Sequence, residues 1–311
     1  MPREVFGPGY AFVPREDLLT LEEIARIARV FAAIGMRKVR ITGGDPLIRR
    51  NLEHLIEMID AMDEVDDISL TTNGSMLSPG RAVDLRKSGL KRLTISLDAL
   101  DDPTFKRIND VDYPVSRVLD GIEHARAAGF SGTKINVVVR RGFNQHAVLD
   151  LVKHFRHTDC IVRFIEYMDV GETNGWNLDD VIPASDLVDE IDARYPLEAI
   201  SQNYPGEVAK RWRYRDGAGE IGFITSVTQS FCGECSRARL SAVGQVYTCL
   251  FSSQGHDLRD LLRSGASDDQ LLQAVCEIWQ GRNDRYSELR ATATSIPASG
   301  QAKVEMSHIG G

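Results

Sequence analysis

Apolar residues recur at two distinct spacings along the first half of the chain. Between Thr20 and Gly35 they fall every three or four positions, and Thr20 with Glu23 forms the pair typical of a capped helix start, so a helix is predicted there. Short apolar and β-branched runs then alternate with further segments of helical spacing, which predicts an α/β fold with a parallel sheet and right-handed crossovers. The predicted strands cover residues 38–42, 68–73, 92–98, 134–139 and 162–168, and the predicted helices between them cover residues 52–62, 79–88, 115–128 and 145–157.

Polar and apolar side chains alternate inside the first four predicted strands. A doubly wound sheet is covered by helices on both faces, and its strands are therefore continuously apolar. Here one face is apolar and the other is polar and partly cationic, which favours a partial TIM-like (β/α) barrel whose interior holds a polar, anionic ligand. A sheet with one solvated face is the alternative. The polar positions are Lys38, Arg40, Thr42, Ser69, Thr71, Asn73, Thr94, Ser96, Asp98, Lys134 and Asn136.

The pattern changes near residue 171, which predicts a first unit over residues 1–170 and a smaller α+β unit over residues 171–311. Short antiparallel strands are predicted in the second unit, because brief alternating runs are separated by turn residues there. The predicted strands lie within residues 207–216, 220–227, 237–242 and 245–249, and helices are predicted over residues 184–193, 257–264 and 268–280.

The composition and net charge indicate which kinds of molecule the protein could bind. The chain has 311 residues, a formal net charge of −8 and 42% hydrophobic residues, which argues against a general binder of nucleic acid or acidic membranes. An anionic ligand must therefore be held by local cations. No apolar stretch is long enough to span a membrane, and the first residues lack a signal or transit character, so a cytoplasmic protein is predicted.

Three of the five cysteines are grouped. Cys232, Cys235 and Cys249 form C-x2-C-x13-C across a hairpin-like segment, a spacing that lets thiolates converge on a metal centre. Structural zinc with His256 as a fourth ligand is one interpretation, and an iron–sulfur cluster with one open iron is the other. Cys160 and Cys276 fall in apolar patterns and are predicted to be core thiols.

Three further features of the sequence indicate where a ligand could bind. The turn TGGDP over residues 42–46 follows a strand and precedes a helix, so its free amides could bind a carboxylate or phosphate. Polar residues also collect near the carboxyl ends of the predicted strands, where barrel enzymes assemble their sites. Guanidinium groups, which suit phosphate oxygens, occur at Arg40 and again at Arg237 and Arg239. The strand-end residues are Thr71, Asn73, Ser96, Asp98, Asn136, Glu166 and Met168.

In order and spacing, the segments GGDP, TTNG, ISLD, TKIN, RFIEYM, FCGECSRARLSAVGQVYTCLF and the terminal IGG resemble the GTP 3',8-cyclase (MoaA) family of molybdenum cofactor biosynthesis. The resemblance implies a radical SAM partial barrel with S-adenosylmethionine on a first [4Fe-4S] cluster and GTP at a second, C-terminal cluster. It also implies a lyase that makes 3',8-cyclo-7,8-dihydro-GTP through a 5'-deoxyadenosyl radical. Implied partners are an external electron donor and the downstream cyclic pyranopterin synthase, with a homodimer as a further possibility.

The resemblance also assigns site residues. Met168 would contact S-adenosylmethionine together with Gly44 and Ser96, and Asn136 would be a neighbour of the site. Gly310 and Gly311 match a family tail that inserts into the site. The GTP contacts would be Arg40, Thr71, Lys134, Arg237, Ala238 and Arg239, and the ligands of the C-terminal cluster would be Cys232, Cys235 and Cys249.

The sequence departs from the family pattern at two places. Asp45 stands where the family has glutamate, which shortens a carboxylate expected to face the amino group of the cofactor. No cysteine precedes Cys160, so the C-x3-C-x2-C motif of the S-adenosylmethionine cluster is absent. An N-terminally truncated reading frame, lacking the first strand and inactive alone, is the preferred explanation. The alternatives are a non-catalytic GTP-binding relative and a zinc-stabilised interaction protein.

Overall fold

An eight-stranded sheet forms the centre of the computed structural model, which describes residues 12–110, 112–171, 173–229, 232–292 and 303–310. The strand order is β1-β2-β3-β4-β5-β8-β7-β6; β1 to β5 and β8 run parallel, and β7 is antiparallel to both neighbours. The strands are β1 (Lys38–Ile41), β2 (Asp67–Thr72), β3 (Arg92–Ser96), β4 (Lys134–Val139), β5 (Ile161–Glu166), β6 (Leu197–Ile200), β7 (Lys210–Tyr214) and β8 (Glu220–Ile224).

Helices cover the apolar face of this sheet and form the main core with it. The first helix begins where the sequence predicts, because the Thr20 hydroxyl accepts from the Glu23 amide while the Glu23 carboxylate accepts from the Thr20 amide. The helices in this part are α1 (Leu21–Ala33), α2 (Leu52–Asp60), α3 (Pro79–Lys87), α4 (Asp102–Asn109), α5 (Ser116–Ala127), α6 (Val148–Phe155) and α7 (Ala184–Asp192).

A second core joins the beginning of the chain to its later part. Ile27 and Val30 of α1 pack with Leu262, Leu271 and Val275. The elements of this later part are β9 (Arg239–Leu240), β10 (Gln245–Tyr247), β11 (His256–Asp257), α8 (Arg259–Arg263), α9 (Asp268–Gln280), α10 (Tyr286–Thr292) and α11 (Met306–Ile309), of which β9, β10 and β11 form a small antiparallel sheet.

The structure confirms the predicted α/β fold with its parallel sheet and corrects several details. Helix α4 was missed because it is short and buries only Phe105. The helix predicted over residues 257–264 begins only at Arg259, and the preceding residues form β11. Strand β8 was expected to be purely antiparallel, yet it pairs in parallel with β5. The main sheet thus continues past residue 170, and the division into two units at that residue stays a prediction. Within the described residues, no helix is both long and apolar enough to cross a membrane.

Candidate active site

The strand register brings the predicted polar residues together on one face of the sheet. Because side chains at paired positions of neighbouring strands share a face, the pairing fixes three rows across β1 to β5. This face, called the polar face below, matches the alternation in the sequence. The rows are Arg40, Ser69 and Arg92; Thr71, Thr94 and Lys134; and Ser96, Asn136 and Arg163.

Cations dominate the polar face. Arg92 pairs with the Asp67 carboxylate, whereas Arg40, Lys134 and Arg163 form no salt bridge with any described residue. Burial, reinforced by the neighbouring guanidinium groups, lowers the pKa of Lys134 to about 8 and that of Arg163 to about 9. Arg40 is water-accessible yet largely surrounded by protein, and burial lowers its pKa too. A cationic surface without paired carboxylates at these three positions, within the described residues, suits an anionic ligand.

Two polar atoms of this face are buried without a hydrogen-bond partner. They are Nη2 of Arg163, whose side chain the sequence did not single out, and Oγ1 of Thr71. Arg163 is only 7% exposed, and its Nε donates to Oδ1 of Asn136 at 3.0 Å. Because an unpaired buried polar atom costs free energy, both atoms are suited to contact a polar ligand. Arg163 could have been found by applying the polar and apolar alternation of β4 to the next strand, β5, in which Arg163 pairs with Asn136.

Replacing Lys134 with methionine is expected to raise the thermal midpoint of the ligand-free protein at pH 7. Its pKa falls from 10.5 in the unfolded chain to about 8 in the folded protein. The unfolded state therefore binds more protons between these values, and the wild type gains stability as pH rises through this window. The advantage of the variant should accordingly shrink above pH 8. Thermal unfolding at pH 7 and 9.5 tests this, with exposed Lys153→Met as the control; an advantage that is constant with pH would contradict it.

The turn after β1 combines an open backbone with a firmly held carboxylate. A Cβ added at Gly43 or Gly44 would meet nothing within 4 Å, and Gly43 has φ +149°, which favours glycine. Asp45 accepts hydrogen bonds from the Leu47 amide at 2.9 Å and from the Asn73 amide and the Thr72 hydroxyl at 2.8 Å each. Asp45 thus ties the turn to the end of β2. From the sequence, this carboxylate was expected to face a cofactor, and the structural role was not predicted.

The three residues expected to contact S-adenosylmethionine lie at the carboxyl ends of parallel strands, which share one edge of the sheet. Gly44 follows β1 and is exposed, Ser96 ends β3, and Met168 follows β5; the last two are half-buried. Near Ser96, the Asp98 carboxylate accepts from the Val138 amide at 2.8 Å, while burial raises its pKa to about 6. The contacts with the cofactor themselves stay a prediction.

Glu166 serves the fold rather than the cavity. It was grouped with the strand-end site residues, yet its side chain is 1% exposed and its carboxylate is fully engaged. It accepts from the amides of Ala184, Val227 and Thr228 at 3.0, 2.8 and 2.8 Å and from the Thr228 hydroxyl. Glu166 therefore joins the end of β5 to the start of α7 and to the loop after β8.

The three grouped cysteines lie near one another. The Cys235 amide donates to the Cys232 carbonyl at 3.1 Å in a tight turn. Burial raises the pKa of Cys249, and nearby Cys232 raises it further. Yet no three His, Cys, Asp or Glu side chains in the described part of the chain form a group that could hold a metal ion.

The other predicted ligand and the two predicted core thiols differ in burial. His256 is exposed on β11. Cys160 is a buried core thiol whose pKa burial raises to about 11, whereas Cys276 is only half-buried.

The basic run after the cysteines reaches both the thiols and the polar face. Burial opposes ionisation of Cys235, but the Arg237 guanidinium and hydrogen bonds from Arg237 and Arg282 lower its pKa to about 7. The Arg237 Nε donates to the Cys235 Sγ at 3.3 Å. The positive charge of Arg40 in turn helps to lower the pKa of Arg239, after the larger effect of burial. Ala238 is exposed between the two arginines.

The described end of the chain lies against the turn after β1. Gly310 has φ +71°, and a Cβ there would lie 2.3 Å from Cγ2 of Thr42. Ile309 is buried beside it. The described end of the chain therefore reaches the turn after β1, while Gly311 lies outside the described residues, and insertion of the tail into the site stays a prediction.

The open, mostly parallel sheet with a polar face is the fold of the radical SAM superfamily. The family model of that superfamily matches residues 6–155. Among solved structures, Streptococcus suis SuiB bound to S-adenosylmethionine superposes with a TM-score of 0.58 at 14% identity, covering 92% of this chain and 64% of SuiB. This is a likeness of fold alone. Members of the superfamily use S-adenosylmethionine and a [4Fe-4S] cluster.

The relatives define the family more narrowly. A second family model, Molybdenum Cofactor Synthesis C, matches residues 160–288. The chain is 49% identical to the GTP 3',8-cyclase of Acidothermus cellulolyticus, 47% to that of Xanthomonas axonopodis pv. citri and 42% to that of Staphylococcus epidermidis, each over 100% of this chain and 91% of the relative. The chain belongs to the GTP 3',8-cyclase family of molybdenum cofactor biosynthesis.

Proposed function

We propose that the polar face binds GTP with its triphosphate against Arg40, Lys134 and Arg163. The observation that carries this assignment is the set of three cations on one face without a salt bridge to any described residue. Guanidinium groups bind phosphate oxygens bidentately, and an ammonium adds a point charge. Thr71, whose Oγ1 is buried without a partner, supplies a further polar contact.

The guanine end of GTP lies towards the basic run and the cysteines. Arg237, Ala238 and Arg239 connect the polar face to Cys235, which supports a nucleotide extended between the two. The described residues form no ready-made group for a single metal ion, but three thiols beside two guanidinium groups suit the chemistry of an anionic iron–sulfur cluster, which Cys232, Cys235 and Cys249 would hold. When bound, such a cluster supplies an open iron for the guanine. Arg237 orients the Cys235 sulfur and balances its negative charge.

S-adenosylmethionine lies at the carboxyl-end edge, against Gly44, Ser96 and Met168. The open space beside Gly43 and Gly44 supports this placement, because a backbone without side chains can approach a cofactor closely. The first cysteine of the sequence is Cys160, so the chain supplies no C-x3-C-x2-C ligand set. We therefore expect these 311 residues alone to form no 5'-deoxyadenosine under reducing conditions.

The same assignment makes the protein a cytoplasmic lyase. It requires an external electron donor and passes its cyclised product to cyclic pyranopterin synthase. The cations on the polar face hold the substrate triphosphate fixed, so that the ribose is presented towards Gly44 and Met168. Orientation of this kind lowers the entropic cost of reaction.

Isothermal titration of the chain with GTP and with guanosine tests the binding assignment. GTP should bind at least about a hundredfold more tightly than guanosine, since several buried charge–phosphate contacts are each worth more than 1 kcal/mol. ATP serves as the control for the base. Equal affinities for GTP and guanosine would reject the triphosphate site, and equal affinities for GTP and ATP would reject the guanine site.

A further inference from the structure

The segment Lys303–Gly310 bridges two loops at the carboxyl-end edge of the sheet. At its start, Lys303 contacts Asp169 and Glu305 contacts Thr173, and both partners follow β5 in the chain. At its end, Gly310 lies against Thr42 and Gly43 in the turn that follows β1. The segment therefore links the two loops that contain Met168 and Gly44, the residues proposed to contact S-adenosylmethionine.

The first attachment is a buried ion pair. The Lys303 ammonium donates to Oδ2 of Asp169 at 2.8 Å, to the Asp169 carbonyl at 3.2 Å and to the Tyr286 hydroxyl at 2.7 Å. Tyr286 in turn donates to the Asp169 carboxylate, and its ring stacks on Phe251 with centroids 4.7 Å apart. Asp169 is only 4% exposed. A paired and hydrogen-bonded charge at this depth fixes geometry, because breaking it leaves a buried charge unpaired.

The second attachment is a carboxylate held by a loop. Glu305 accepts from the Thr173 amide at 3.2 Å and from the Thr173 hydroxyl at 2.9 Å. Gly171 has φ +70°, and a Cβ added there would lie 2.3 Å from Oε2 of Glu305. The loop therefore approaches the carboxylate more closely than any other residue at this position would allow.

The far end of the segment is held by packing. Ile309 is 3% exposed, although it belongs to the four-residue helix α11, which has no side-chain N-cap. So short a helix has little stability of its own. Its position must come from contacts with the rest of the protein, among them the two attachments, the packing of Gly310 on Thr42 and the edge-to-face contact of the His308 ring with Tyr247.

We propose that Asp169, Thr173, Tyr286, Lys303 and Glu305 are positioning residues that fasten the C-terminal segment across the site. The fastened segment holds Gly310 against Thr42 and Gly43, at the edge of the proposed site. This inference rests on the proposed function, because the turn and the polar face gain their roles from GTP and S-adenosylmethionine. The nucleotide leaves the site more readily when the segment is released.

Hydrogen–deuterium exchange on the full chain tests the attachment directly. The amides of His308 and Gly310 donate to the carbonyls of Glu305 and Met306 within the segment, at 2.9 and 2.8 Å. Their exchange rates therefore measure how often the segment leaves its folded position. In Glu305→Ala and Lys303→Met these amides, and those of the Gly43–Gly44 turn, should exchange at least about tenfold faster, since charged hydrogen bonds are lost. Gly171→Ala should give the same result by displacing the carboxylate. Met306→Ala, at an exposed position of the same segment, is the matched control.

Unchanged exchange in both Glu305→Ala and Lys303→Met would overturn the attachment, and faster exchange throughout the protein would show general unfolding instead of release. Titration with GTP adds the functional result. Release of the segment should weaken GTP binding at least about fivefold while Met306→Ala binds as the wild type does. Release without any change in GTP affinity would overturn the positioning role. A wild type that fails to bind GTP would refute the proposed function alone, because the exchange result stands without a nucleotide.

Discussion

Replacing Glu166 with alanine is expected to lower the free energy of unfolding by about 4 kcal/mol, since several buried donors lose a charged acceptor at once. The amides of Ala184, Val227 and Thr228 all donate to this carboxylate, which is 1% exposed. A truncated side chain leaves all three without that acceptor. The change should be measured by denaturant titration monitored by circular dichroism.

Two further variants distinguish the loss of the hydrogen bonds to the carboxylate from the loss of side-chain volume and from the loss of a negative charge. Glu166→Gln keeps the volume but turns an amide group towards backbone donors, so it should retain only part of the lost stability. Glu123→Ala removes an exposed carboxylate that pairs with Arg126 on the same helix, and should change stability by less than about 0.5 kcal/mol. A loss below about 1 kcal/mol in Glu166→Ala would show that the two loops are held by other contacts.

Replacing Arg163 with methionine should weaken GTP binding by about a hundredfold, the cost of losing a buried charge–phosphate contact. The same change should raise the thermal midpoint of the ligand-free protein. Burial lowers the pKa of this guanidinium to about 9, and its Nη2 is buried without a partner, so the fold gains from its removal. Opposite effects on stability and binding are expected of a site residue. Titration calorimetry and thermal unfolding measure the two effects.

The control must remove one positive charge elsewhere. Arg126→Met makes the same change in net charge at an exposed position of α5, and should leave GTP affinity within about twofold because long-range charge effects are screened by salt. Weakening in both variants would assign the effect to net charge. Destabilisation by Arg163→Met together with unchanged GTP binding would make Arg163 a core residue.

The main sheet could be predicted because its strands carry a strong alternating pattern. Lys134 and Asn136 face one side while Ile135 and Val137 face the other, and the structure confirms this division. Strand β6 was missed because Leu197–Ile200 is short and has only one buried residue. The parallel pairing of β5 with β8 joins segments far apart in the sequence, and no local pattern specifies such a contact.

The site, like the sheet, could be predicted only where local sequence patterns specify it. Residue types and spacing indicated Arg40, Lys134 and the cysteines, because cations on an alternating strand and a C-x2-C turn are local signals. Arg163 escaped notice because its strand is buried along most of its length. Glu166 and Asp45 were expected in the cavity, but backbone amides brought close by the fold engage both carboxylates. A sequence pattern shows that a carboxylate is present and cannot show which amides surround it.

The packing of α1 against α9 has a consequence for synthesis of the protein. Arg26 of α1 donates to Asp268 and to the Ala266 carbonyl, at 2.7 and 2.6 Å, across 242 and 240 residues of sequence. At roughly 5–20 residues per second, a ribosome needs on the order of 10–50 s to reach Asp268 after adding Arg26. Throughout that interval the apolar side of α1 has no α9 to cover it. The nascent chain therefore exposes this apolar surface until α9 has been made.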